Sequence, residues 1–142
     1  MQVDFKIPGE PMAKQRPVVT KAGHTYTPER TILYENLVKW CFIEANKEKV
    51  FWDNEPLSVD IKAYFKIPKS YSKKRAMNCI SGKISPSTKD CDNIAKIICD
   101  ALNSIAYTDD KHINRLCVIK MWTFEEPQTL VSLKSNSKEE VD

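Results

Sequence analysis

From Leu57 to Ile67 the chain alternates without a break: Leu57, Val59, Ile61, Ala63, Phe65 and Ile67 are apolar, and Ser58, Asp60, Lys62, Tyr64 and Lys66 fall between them. Successive side chains of a strand point to opposite faces, so this run predicts a β-strand with one face buried and one wet, closed by Pro68. Such a strand needs other strands beside it and a second layer on its apolar face. Val3, Phe5 and Ile7 repeat the pattern briefly before Pro8 and Gly9, predicting a short first strand. The run Ile113 to Phe124 is apolar on both faces, which predicts a central strand, and Leu130 to Leu133 fits a last one.

Two segments read as helices. Thr27, Pro28 and Glu29 form a start signal of capping hydroxyl, proline where its missing N–H costs nothing, and an early acid. Tyr34, Leu37, Val38, Cys41 and Ala45 then recur at helical spacing, so the helix should run to about Lys47. From Asp92, the residues Ile94, Ile97, Ile98, Ala101, Leu102 and Ile105 make one apolar stripe, with Asp92, Lys96 and Asn103 opposite. Between elements, Gly9 to Pro17 reads as a basic loop, Tyr71 to Ile80 as a short basic helix or turn, and Gly82 to Lys89 as irregular. Trp40, Phe42, Phe51 and Trp52 would serve an interface but fit ordinary core better.

At 142 residues with 42% apolar content, the chain suits one domain with a single core. No run approaches the length of a membrane span, and Met1 to Pro8 lacks the apolar core of a signal peptide, so a soluble, cytoplasmic protein with no membrane partner is expected. Five cysteines, an odd number with no CxxC pair, fit free thiols in a reducing compartment. His24 and His112 stand apart from paired cysteines, which argues against zinc.

A net charge of +3 does not by itself require a polyanionic partner. Its distribution is more telling. Lys14 and Arg16, then Lys69, Lys73, Lys74, Arg75, Lys83 and Lys89, flank an acidic centre from Asp90 to Asp110. Cations for phosphates around carboxylates for a metal is an arrangement a metal-dependent nuclease needs; two solvated loops would look the same.

The stretch from Lys89 to Lys120 carries polar residues that a purely structural helix and strand do not require. Asp90 and Asp92 bracket the start of the second helix, Lys96 follows one turn later, and Asp109 and Asp110 lead into the next strand. If helix and strand pack side by side, the acids converge, and carboxylates brought close favour a cation between them. Magnesium prefers such hard oxygen ligands and keeps waters, leaving positions for a phosphate oxygen and an attacking water. Lys96 would then face the negative charge developing on phosphorus. Plainer roles remain open: Asp92 as a helix cap, Lys96 as an ion-pair partner of Asp92 or Asp100, and Asp109 and Asp110 as turn formers.

The string Asp90, Cys91, Asp92, Asn93, Lys96, Asp100, Ala101, Leu102, Tyr107, Thr108, Asp109, Asp110 resembles the signature of the RusA family of Holliday-junction resolvases. Lys14 to Pro17 is similar to that family's K-Q-R-P, Tyr26 to Pro28 to its Y-T-P, and Ser72 to Arg75 to its basic segment, in the family's order. The resemblance implies an α/β (α+β) fold: a single compact domain over residues 1–134, with a small mixed sheet packed by about two main helices; the polar run over 135–142 reads by itself as a frayed tail.

It also implies a homodimer that acts on branched DNA, nicking two opposed strands of a four-way junction with paired magnesium-dependent sites; manganese is the expected substitute. Carried over position by position, Asp90, Asp92 and Asp110 match the catalytic, metal-binding carboxylates and Lys96 the catalytic lysine. Asn93, Asp100 and Asp109 match motif positions suited to supporting roles. Lys14, Arg16, Lys73, Lys74, Arg75 and Lys89 are the expected DNA contacts. The chain departs from the pattern at Lys89, Cys91, Ser104 and His112, where proline, a branched aliphatic, glycine and glutamine are frequent. None of these removes a proposed ligand. Two other functions fit the same residues: a branched-DNA-binding protein that does not cut, and a nuclease for flaps, forks or RNA.

Overall fold

The structure, a computed structural model, describes residues 1–138. Its elements in chain order are β1 (Gln2–Pro8), β2 (Val18–Val19), β3 (Thr25–Tyr26), α1 (Glu29–Ala45), β4 (Leu57–Lys66), α2 (Lys73–Ile80), α3 (Cys91–Leu102), a 3-10 turn (Asp110–His112), β5 (Ile113–Thr123) and β6 (Gln128–Ser135). Four strands form a mixed sheet in the order β1-β6-β4-β5, and β2 and β3 make a separate hairpin that the sequence reading passes over. β6 lies antiparallel to both β1 and β4, whereas β4 and β5 run parallel. A parallel pair needs a long crossover. Here the crossover contains α2 and α3, which brings α3 back over the sheet and onto β5.

The alternation in the sequence is the alternation of burial. Val3, Phe5 and Ile7 of β1, Val59, Ile61, Ala63 and Phe65 of β4, and Val131 and Leu133 of β6 are all buried. The registers Val3↔Leu133, Phe5↔Val131 and Ile61↔Val131 put them on one face. Val38 and Phe42 of α1 and Ile94, Ile97, Ile98, Ala101 and Leu102 of α3 cover that face, with Phe5 and Phe42 meeting edge to face at 5.7 Å. The other face carries charge; Arg115 donates to Asp60 there at 3.0 Å.

Three expectations are corrected. β5, expected to be central, is an edge strand: strand order comes from how the crossover lands, which periodicity does not encode. None of its residues is buried, and Leu116 and Ile119 are 50% and 42% exposed. At α1, Pro28 rather than Thr27 occupies the cap position, without a side-chain bond; its carbonyl accepts from Thr31 N–H at 3.0 Å, and the helix ends at Ala45 rather than Lys47. Of the four aromatics read as core, Phe42 and Trp52 are buried, while Trp40 and Phe51 are exposed.

All five cysteines are free thiols. Among the described residues no helix is long and apolar enough to cross a membrane. Of the expected tail, Ser135 ends β6 and accepts from Trp52 Nε1 at 2.9 Å, Asn136 N–H reaches the Pro56 carbonyl at 3.1 Å, and residues 139–142 lie outside the described part.

Candidate active site

Helix α3 sets the site. Asp90 stands at its cap position but makes no side-chain cap bond, and Asp92 lies in its first turn. Neither acid is engaged as a cap. Asp92, Lys96 and Asp100 are spaced four apart, so they form one ridge opposite the buried stripe. The chain then reverses sharply: Ser104 adopts a left-handed conformation at φ 66°, its N–H bonds the Tyr107 carbonyl at 2.8 Å, and Asn103 pairs with Tyr107 as an isolated bridge. Ser104 is where the resemblance called for glycine, the residue with least objection to that backbone. Tyr107 is fully buried and its hydroxyl donates to the Cys99 carbonyl at 2.6 Å, which pins the returning strand to α3.

The reversal carries Asp110 to the polar ridge. Asp92, Lys96, Asp100 and Asp110 line a groove of about 310 Å³, whose remaining wall includes Ala95, Ile113 and Leu116. Asp90, one residue before the helix, and Asp109 do not line it. A larger cavity, about 620 Å³, lies elsewhere against Asp4, Lys6, Asp60 and Lys62, where opposite charges alternate.

The two neighbouring aspartates divide their roles. Asp109 caps the 3-10 turn, its Oδ1 accepting from Lys111 N–H at 2.9 Å, and that bond holds its carboxyl below the ordinary range. Asp110 is different: burial pushes its carboxyl up, a bond from Asn103 opposes the shift, and the charges of Asp109 and Asp100 add to it. Asn103 grips Asp110 twice. Its Oδ1 accepts from Asp110 N–H at 2.8 Å and its Nδ2 donates to Asp110 Oδ2 at 3.3 Å.

Asp100 sits between two lysines, Lys14 Nζ at 3.4 Å and Lys96 Nζ at 3.9 Å. Lys14 also bonds Glu35 of α1 at 3.1 Å, and its N–H donates to the Asn93 carbonyl at 2.8 Å. The basic loop is thereby tied along α3, with Lys14 committed to carboxylates rather than free on the surface. Asn93 takes part through its backbone.

The remaining cations are spread outward. Arg16, Lys73, Lys74 and Arg75 are exposed. Ser72 caps α2 by accepting from Arg75 N–H at 3.2 Å, and the Arg75 guanidinium lies 3.8 Å over the Tyr71 ring, which itself abuts Trp122 of β5. Lys89 is half-buried, with its carbonyl accepting from Lys120 Nζ at 2.9 Å.

Sequence reasoning missed Glu35 and the role of Asn103. Glu35 gave no signal, because its partner is a loop residue 21 positions away. Asn103 gave a faint one, as a polar residue closing the polar face of α3.

Among the described residues, no three His, Cys, Asp or Glu side chains stand close enough to cage a metal by themselves. The donors fit a hard cation all the same. Magnesium is usually held by one or two carboxylates, keeps several waters and takes the rest of its shell from phosphate oxygens. Asp92 and Asp110 on one groove, with a raised carboxyl at Asp110, supply such a set.

The model of the family described as Endodeoxyribonuclease RusA matches residues 8–134. Bacillus subtilis (strain 168) has a relative, the uncharacterized protein YqaN, that is 32% identical over 141 residues, covering 95% of this chain and 97% of the relative.

Proposed function

The chain belongs to the RusA endodeoxyribonuclease family, and from that premise we propose that it is a magnesium-dependent, structure-specific nuclease that resolves four-way DNA junctions by paired nicks. The observation that carries this reading is the groove that gathers Asp92, Lys96, Asp100 and Asp110 at the meeting of α3 and β5. Asp92 and Asp110 hold the metal, with Asp90 as the third carboxylate by resemblance. When bound, magnesium supplies Lewis acidity for a phosphate oxygen and a water of lowered pKa. Lys96, 60% exposed and only 3.9 Å from Asp100, is free enough to turn its ammonium toward charge developing on the phosphate. Asp100 and Lys14 keep that lysine and the basic loop in place. Arg16, Lys73, Lys74 and Arg75 meet neighbouring phosphates, contacts that give affinity and position rather than sequence preference. Manganese, which shares the preference for oxygen donors, substitutes for magnesium.

The protein acts as a homodimer, because two symmetric cuts call for two identical sites. The side chain of Leu116, left half uncovered on edge strand β5 at the wall of the groove, supports a contact there. Asp92→Asn is expected to abolish cutting and leave junction binding intact; unchanged cutting would remove Asp92 from the site. The lack of a three-acid cage among the described residues favours one second reading, a branched-DNA-binding protein without cleavage. Calorimetry separates the two, since only the nuclease binds magnesium in a carboxylate-dependent way.

A further inference from the structure

Asn103 closes α3, and among the described residues both of its side-chain hydrogen bonds go to one residue, Asp110. The amide oxygen accepts the Asp110 N–H at 2.8 Å while the amide nitrogen donates to Asp110 Oδ2 at 3.3 Å. The grip is itself anchored: Asn103 N–H donates to the Asp100 carbonyl at 3.3 Å, and its backbone pairs with buried Tyr107. A two-point hold of this kind fixes the rotation of a carboxylate as well as its place. With Oδ2 occupied, Oδ1 is the oxygen left to bind a ligand in the groove.

We propose that Asn103 is a positioning residue, which orients the Asp110 carboxylate so that one oxygen faces a divalent cation in the groove. The inference rests on the metal-dependent reading above. Partners that orient a ligating carboxylate typically change metal affinity or activity by about 10–100-fold when removed. A residue that merely shapes the turn would alter stability and leave metal affinity alone.

The test is calorimetric titration of manganese and magnesium into the DNA-free full chain, with melting curves on the same samples. Asn103→Ala is expected to weaken metal binding about tenfold or more. Asn103→Ser, a smaller polar replacement, serves as the second variant should alanine fail to fold. Adding either change to Asp110→Asn is expected to weaken binding no further, because the partner through which Asn103 acts is already gone. Wild-type affinity in a folded Asn103 variant overturns the proposal, as does an equal loss in the Asp110→Asn background. If the wild-type chain itself binds no metal, the nuclease reading falls and this proposal with it.

Discussion

Lys14 offers the sharpest separation between what the residue pattern suggests and what the structure shows. As a lysine in a basic loop it belongs with the DNA contacts, yet in the fold its ammonium bridges Glu35 and Asp100 at 3.1 and 3.4 Å, joining the loop to α1 and α3. Lys14→Ala leaves two part-buried carboxylates facing each other near Asp110. Hydrogen bonds to charged groups contribute about 1.5–3 kcal/mol, and breaking a fully buried pair costs about 3–5 kcal/mol. The three side chains keep 20%, 17% and 28% of their exposure, and Lys96 still neighbours Asp100, so solvent and a second cation screen part of the loss. The expected cost is about 1–3 kcal/mol, or a fall of about 3–9 °C in Tm for a domain of this size. Thermal and urea unfolding without DNA read this directly. Lys74→Ala is the control: an exposed lysine that we propose meets a phosphate, it should change stability by less than about 0.5 kcal/mol but lower the salt slope of junction binding by about one. A Lys14→Ala protein with wild-type Tm and a lowered salt slope would refute the anchoring role.

Other consequences follow from single contacts. Burial raises the Asp110 carboxyl, so its stabilising share is present at low pH and is lost as pH rises through the folded value; metal-free Asp110→Asn should therefore melt higher than wild type at neutral pH, with the gain vanishing as pH falls below the ordinary carboxylate range. Tyr107→Phe removes the 2.6 Å bond to the Cys99 carbonyl inside the core and should cost about 1–3 kcal/mol by urea unfolding, with no new cavity to share the blame. Ser104→Gly relieves a left-handed backbone but loosens the unfolded chain, so the net change should be a gain of no more than about 1 kcal/mol in Tm-derived stability. Leu116→Glu, on the exposed edge strand, should convert the proposed dimer to monomer in sedimentation while leaving the chain folded; a dimer unchanged by it would move the interface elsewhere.

Much of this fold is legible where one element's periodicity decides its own burial. The alternation of Leu57 to Ile67 yields β4, and the stripe from Ile94 to Leu102 yields α3 together with its opposite ridge of Asp92, Lys96 and Asp100. What is not legible depends on how elements meet. β5 is apolar on both faces like an interior strand, yet the crossover leaves it at the edge. Whether Asp110 reaches that ridge depends on the reversal at Ser104, and whether Asp90 joins it depends on the last residue before the helix, where the backbone is already extended. Lys14 illustrates the same limit: its charge is visible in the sequence, but Glu35 and Asp100 as its partners are products of packing.

We propose, above all, that the α3–β5 groove cuts branched DNA with a bound divalent cation. It is tested most directly by incubating the full chain with a labelled synthetic four-way junction and a matched linear duplex, in magnesium and in chelator. Symmetric nicks are expected in opposed strands of the junction alone, and none in chelator. Junction binding without nicks in magnesium, or equal nicking of both substrates, would contradict it.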